Sequence, residues 1–216
     1  MNQVIDHIAA KSLKEFLSYK CLSDLGAFRT VSGTLTKYDP KWQGLSAFGS
    51  SYAGFTYDAG ISGAIVPTGL SGVSGAIVDY RNGRFIGPTG ASFTGQTTFS
   101  VNEVNFYITS SPESKLIFET KYLQSPVRTA ATGYIPPDSF VAPCVFVKSF
   151  SSESEDHAFG GESRSSFTFK IVAMMRREAE LLGIQKVVRD SRAEVFPMIT
   201  GSVFNQYGGL TTPGWT

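Results

Sequence analysis

A glycine-rich segment from Gly63 to Gly87, GAIVPTGLSGVSGAIVDYRNGRFIG, is the feature that most constrains the fold. Such a segment can be a phosphate-binding loop or a series of β-turns. A P-loop needs Lys and then Ser or Thr directly after its last glycine, but no lysine occurs here before Lys115. A dinucleotide loop needs G-x-G-x-x-G, whereas Gly69, Gly72 and Gly75 are spaced G-x-x-G-x-x-G. We therefore interpret the glycines as turns of a β structure.

The pair Asn82-Gly83 within this segment predicts a β-hairpin, because apolar runs flank it on both sides. A two-residue type I′ turn requires positive φ at both central residues, and Asn and Gly adopt that conformation most readily. We expect these two residues to form the turn.

Charge and cysteine content exclude several classes of protein. The formal net charge is +1, which indicates neither sequence-specific nucleic acid nor an anionic membrane as a partner. Cys21 and Cys144 are too few for a disulfide framework or a zinc site, so we expect buried free thiols and no cofactor. Since no signal peptide and no membrane-spanning apolar run is recognisable, we expect a soluble protein made in the cytosol.

The deficit of charge is local. Between Trp42 and Tyr80 only Asp58 and Asp79 are charged, whereas Tyr, Phe, Gly and Ser are abundant. Interfaces between subunits are depleted in charged residues and enriched in aromatic ones, so we favour a surface covered by other subunits. The alternative is a Gly/Ser-rich loop region that lies on its own domain.

The periodicities predict an α+β fold, in which an N-terminal helix and a C-terminal strand–long loop–strand–helix unit lie on a small mixed sheet with a β-rich insertion. The helix covers residues 2–25, with Gly26 as its stop and with His7, Lys11, Lys14 and Ser18 on its solvent side. Its apolar stripe comprises Ile5, Ile8, Ala9, Leu13, Phe16, Leu17, Cys21 and Leu25. We divide the chain into the N-terminal helix of the core (1–30), the β-rich insertion (31–124), an extended linker (125–140), the α+β core (141–200) and a C-terminal arm (201–216).

Four further segments carry secondary-structure signals. TFSVNEVNFYIT and KLIFETKY bracket SSPES and predict a second hairpin. VAPCVFVKSF and SFTFKIVAMM predict strands, separated by a long acidic loop from Ser151 to Ser165. The following residues predict a helix that Pro197 ends, with an apolar stripe of Leu181, Ile184, Val188 and Val195.

The acidic loop is the best candidate for a functional site, but no catalytic arrangement accompanies it. His7 and His157 are far apart in sequence and lack metal-ligand neighbours at helical spacing. We interpret the loop as a solvated acidic segment or as one that meets a basic neighbour. Arg176 and Arg177 open the last helix, where the helix dipole favours acids, so a carboxylate of another subunit suits them. The expected subunit-contact residues are Glu153, Glu155, Asp156, Arg176, Arg177 and Trp215 of the tail, and no catalytic, cofactor-binding or metal-binding residues are predicted.

The stretch from Val141 to Pro197 resembles neck and tail-completion proteins of tailed bacteriophages. The shared features are a strand after a proline, a loop containing FGG, and a strand that enters a helix ending DSR..VFP. The order of elements resembles the tail-terminator fold. This resemblance implies a non-enzymatic virion protein, assembled in the host cytoplasm, of which six copies form a ring that closes the tail tube. Its partners would be neighbouring neck, tail tube or sheath proteins.

Three alternatives stay open at this point. The β insertion departs from the smallest tail terminators, so another neck, collar or connector subunit fits equally. A β-rich carbohydrate-binding or adhesive module would use Trp42, Tyr52, Tyr57 and Tyr80 as stacking platforms. A small hydrolase would be centred on His157.

Overall fold

The computed structural model describes residues 5–38, 45–50, 54–58, 60–122, 129–130, 133–134, 140–156, 163–199 and 205–209. These residues form an α+β protein with an N-terminal helix, which confirms the predicted fold class. The chain divides into two compact units. The first unit comprises residues 1–25, 104–122 and 140–201, and the second comprises residues 26–103, 123–139 and 202–216.

The described part of the chain contains three α-helices, α1 (Ile5–Leu25), α2 (Glu113–Glu119) and α3 (Glu178–Asp190), and a 3-10 turn at Ser191–Ala193. Its strands are β1 (Phe28–Thr34), β2 (Thr36–Tyr38), β3 (Ser46–Gly49), β4 (Ile77–Asp79), β5 (Arg84–Gly87), β6 (Gln96–Asn102), β7 (Asn105–Ile108), β8 (Lys121–Tyr122), β9 (Thr129–Ala130), β10 (Gly133–Tyr134), β11 (Val141–Ala142), β12 (Cys144–Asp156) and β13 (Ser163–Met174).

A mixed sheet of order β13-β12-β7 organises the first unit. Strand β12 pairs antiparallel with β13 and parallel with β7. Phe146 and Val147 are both fully buried, and because successive residues of a strand face opposite sides, both faces of the sheet are covered there. Leu116 of α2 packs with Cys144, Phe146 and Met174, and α1 also contacts β7 and β12.

Helix α1 forms where the sequence predicts it, and His7 is exposed as expected. Its buried face, however, includes Ser12 and Ser18, although we had placed Ser18 on the solvent side. The extended segment after α3 covers part of this face. The Phe196 ring stacks on Phe16 at 4.8 Å between centroids, and the Ile199 N–H donates to Ser12 Oγ at 2.8 Å. Ser12 is thus buried on α1 where it binds another segment.

The predicted second hairpin is wrong. The residues after Pro112 form helix α2, and β7 pairs with β12 across the sheet. Pro112 begins this helix by accepting backbone hydrogen bonds from Lys115 and Leu116 at 3.0 and 3.2 Å. Leu116 is the buried residue of this helix, so one side chain on one helical face holds α2 against the sheet.

The predicted long loop from Ser151 to Ser165 is also corrected. Strand β12 continues to Asp156 and β13 begins at Ser163, and these two residues face each other in the ladder. Only residues 157–162 lie between the strands, and they are outside the described residues. Most of the expected loop is therefore a continuation of the hairpin.

The last helix is shorter than predicted. Helix α3 ends at Asp190, well before Pro197, and its buried residues are Ile184 and Val187. Val195, which we had placed on the apolar stripe, is 99% exposed beyond the 3-10 turn. The predicted apolar stripe does not include Val195, because the helix ends before this residue.

The second unit contains a four-stranded antiparallel sheet, β2-β3-β5-β4, and the β1–β6 ladder. Its core is a cluster of buried aromatic and aliphatic side chains: Leu35, Phe48, Phe55, Leu70, Val73, Val78, Phe85, Phe99 and Val101. Several of them belong to the stretch of low charge between residues 42 and 80. These residues of the stretch serve the unit's own core, so part of its apolar character reflects packing within the unit.

The β4–β5 hairpin is present, but its predicted two-residue turn is wrong. Asp79 pairs with Arg84, so the connection has four residues, and its last residue, Gly83, has a φ of 62°. The buried Asp79 carboxylate accepts hydrogen bonds from Asn82 Nδ2 at 2.8 Å and from Arg84 Nε at 2.7 Å. This carboxylate fixes a wider loop than the Asn-Gly pair alone would form.

Candidate interaction surface

The most distinctive surface of the first unit is the outer part of the β12–β13 hairpin, residues 149–156 and 163–169, which we call the hairpin arm. Strand β7 pairs with β12 only from Cys144 to Val147, so the arm has two strands where the inner sheet has three. The described arm residues are exposed, except for the half-buried Phe167 and Phe169. The arm is therefore a two-stranded ribbon whose described residues are mostly exposed.

An irregularity marks the inner end of the arm. The register shifts between Ser149 and Ser151, so Phe150 is an extra residue on β12. Phe150 is 75% exposed. Bulges of this kind bend a strand and increase its twist, and they are common at functional edges. The bulge therefore changes the direction of the arm relative to the inner sheet.

The two faces of the arm differ in chemistry. Phe167 and Phe169 share one face, with their rings stacked at 6.4 Å between centroids. Ser152, opposite Phe167, donates from its hydroxyl to Asp6 Oδ2 of α1 at 3.2 Å. Glu153 lies one position further along β12, opposite Ser166, and its side chain is on the other face. The arm thus has a partly covered aromatic face and a charged face.

A charged pair lies where the arm joins the inner sheet. Lys170 of β13 forms an ion pair with Glu113 at the start of α2. The hydrogen bond and the charge of Lys170 lower the pKa of the exposed Glu113 carboxyl. Because the folded-state pKa is lowered, the pair contributes to the stability of the folded protein at pH values above the ordinary Glu pKa. This contribution is lost as the pH falls through the lowered pKa. It ties α2 to β13 at neutral pH.

The two arginines precede α3 and are not part of it. Arg177 is the N-cap residue, is exposed and makes no side-chain capping hydrogen bond. Arg176 is half-buried, and its backbone N–H donates to Glu180 Oε2 at 3.0 Å. The structure does not bring either arginine to Glu153 within the chain, since no ion pair between them occurs among the described side chains.

The other predicted contact residues are only partly described. Glu155 and Asp156 occupy the end of β12, opposite Arg164 and Ser163 in the register. Trp215, His157, Trp42 and Tyr52 lie outside the described residues, as does most of the linker and of the C-terminal arm.

The two remaining aromatic residues of the proposed carbohydrate platform are not free surfaces. Tyr80 donates its hydroxyl to the Pro67 carbonyl at 2.6 Å and packs against the core of the second unit. Burial raises the pKa of Tyr80. Tyr57 is half-buried. Both side chains are therefore only partly exposed.

The cysteines are buried free thiols, as predicted. Burial raises the pKa of Cys21 and of Cys144 to about 12, so neither is a reactive thiolate at neutral pH. Among the described residues, no group of three or more His, Cys, Asp or Glu is placed to hold a metal ion. In that same part of the chain, no helix has the length and apolar character needed to cross a membrane.

Sequence reasoning missed the two-faced ribbon, although a signal for it was present. In Ser152–Glu155 serine and glutamate alternate with a period of two, which is the period of a strand. The acidic composition favours a loop, whereas this alternation indicates the strand that the structure shows. No protein-family model, no curated protein and no solved structure matches this chain.

Proposed function

We propose that this chain is a structural virion protein of a tailed bacteriophage, which forms a ring at the head–tail neck or caps the tail tube as a tail terminator. The resemblance of residues 141–197 to neck and tail-completion proteins suggests that the protein belongs to the neck or tail of a phage particle. The observation that carries the proposal is the hairpin arm, because it extends beyond the sheet that supports its base.

A two-stranded ribbon in water is marginally stable at best. The arm's described residues bury little against their own unit, so conformational entropy opposes its order and few contacts offset that cost. Docking on a neighbouring subunit would supply the missing contacts. An element of this kind suits a protein whose work is assembly.

The arm also suits ring geometry. An arm that reaches from one subunit to a different surface of the next makes a heterologous contact, and such contacts close into a ring when the rotation per subunit divides the circle. The resemblance implies six copies. The partners above and below would be neck, tail tube or sheath proteins in the virion, with assembly in the host cytoplasm, and a collar or connector position would use the same contacts.

Electron microscopy of the purified full chain tests the proposal. We expect rings in the native protein, and their loss in a variant in which residues 152–167 are replaced by Asn-Gly. This variant joins Ser151 to Thr168, which already face each other in the ladder, so the inner sheet keeps its register. The melting temperature of the shortened variant controls for its folding. Single subunits of the native chain at every concentration would contradict the proposal, as would intact rings without the arm.

A further inference from the structure

We infer that the hairpin arm of one copy docks on the start of α3 in a second copy, with Glu153 placed against Arg177. This inference rests on the proposed function, since it names the contact through which the copies associate. It is carried by three properties of the molecule: the exposure of both groups, their separation along β13, and the opposite charge of the two segments.

Glu153 has no partner among the described side chains. It is exposed on β12, and the residue opposite it on β13 is the uncharged Ser166. No hydrogen bond or ion pair joins its carboxylate to the described part of the chain. Among the described side chains this carboxylate is unpaired, and we assign its partner to a second copy.

Arg177 is the matching cation. It is exposed at the N-cap of α3, and its side chain makes no hydrogen bond or ion pair with the described residues. The helix dipole disfavours a positive charge at this end of a helix. A carboxylate placed beside the guanidinium would offset that cost, and bidentate hydrogen bonds would fix its orientation.

Glu153 and Arg177 of one chain lie far apart along β13. Ser166, which faces Glu153, is eight residues before Met174, the end of β13. At about 3.3 Å per residue, this part of the strand spans roughly 26 Å. Arg177 follows three residues later, and even if those residues reversed completely at about 3.6 Å each, roughly 15 Å would remain. This is a separation of backbone positions, and the structure forms no ion pair between Glu153 and Arg177 in the described part of the chain, so we assign the contact to a second copy.

The charges of the two segments are complementary. Residues 149–169 contain four acidic residues and one basic residue, Arg164. Residues 176–192 contain five basic and three acidic residues. Every copy carries both segments, so one copy can present its arm to a neighbour and receive the arm of another. The occupant we assign to the α3 surface is therefore a second copy of this chain.

A charge-exchange experiment tests the inference. Association of the full chain is measured by sedimentation for the native protein, for Glu153→Arg, for Arg177→Glu and for the double variant. We expect each single variant to weaken association by about tenfold or more at low ionic strength, and the double variant to recover most of it. The differences should shrink in high salt, because salt screens exposed charges.

Two control variants locate the effect. Arg192→Glu makes the same change of charge at another exposed arginine of the segment, and should alter association by less than about twofold, as expected for a rim charge. The exchange Glu153→Ser with Ser154→Glu keeps the composition and net charge but moves the carboxylate to the other face of the strand, and should weaken association as Glu153→Arg does.

The outcomes separate the inference from the proposed function. Recovery in the double variant supports the contact. If the native protein forms rings but the single variants associate as well as it does, or if the double variant is no better than the singles, the inference is overturned and the proposed function stands. If the native protein does not associate at all, both are overturned.

Discussion

Replacing Leu116 by alanine tests whether residues 113–119 form a helix with one anchor on the sheet. Leu116 is 0% exposed and lies among Cys144, Phe146 and Met174, whereas Phe118 on the same helix is 91% exposed. Removing a fully buried leucine side chain costs about 2.7–5 kcal/mol, since a cavity remains. Phe118→Ala removes almost no buried surface and improves helix propensity, so its free energy of unfolding should change by less than about 0.7 kcal/mol.

Urea unfolding followed by circular dichroism measures both variants. With an m-value of about 1–3 kcal/mol/M, the Leu116→Ala midpoint should fall by roughly 1 M or more, and the Phe118→Ala midpoint should hardly move. Phe118→Ala is the matched control, because in an alternating strand Leu116 and Phe118 would share one face. Equal losses of stability in the two variants would refute the helix and restore the strand that the sequence suggested.

Three further predictions concern buried groups and the hairpin turn. Ser12→Ala should lower the free energy of unfolding, measured in urea, by about 1–3 kcal/mol, because it leaves the Ile199 N–H without an acceptor. An unchanged midpoint would mean that the extended segment after α3 does not lie on α1. Gly83→Val should lower the free energy of unfolding by about 1–3 kcal/mol, because the φ of this residue is 62°, and Gly83→Asn should lower it less. Equal free energies of unfolding for the two variants would contradict a positive φ at this position. Cys21 and Cys144 should resist a thiol-specific reagent at pH 8 until the chain unfolds, because burial raises their pKa to about 12, and rapid labelling of the folded protein would contradict their burial.

Elements with strong local patterns were predictable from the sequence. Helix α1 has a long apolar period of 3.6, and the β4–β5 hairpin has apolar runs around Asn82-Gly83, so both appear where the sequence predicts them. The details that failed depend on distant residues. The Asp79 carboxylate holds the wider hairpin loop, and Ser12 is buried where it accepts a hydrogen bond from Ile199. Local propensity carries no information about such partners.

Short segments and mixed signals explain the remaining errors. The residues from Glu113 to Glu119 are too few for a helical period to be distinguished from alternation, and their helix depends on packing of Leu116 against the sheet. Acidic composition suggested a loop from Ser151 to Ser165, where strand alternation was present. For the candidate surface, the sequence identified the charged residues, but their separation along β13 became known only from the strand register.

The measurement that tests the central claim most directly is the mass of the intact protein under native conditions. The chain has a mass of 23.4 kDa. If it forms the six-membered ring that the resemblance implies, a species of about 140 kDa, six times the chain mass, should dominate at micromolar concentration. It should dissociate more readily in the Glu153→Arg variant than in the native protein. A single species of 23.4 kDa at every concentration and ionic strength would contradict the account.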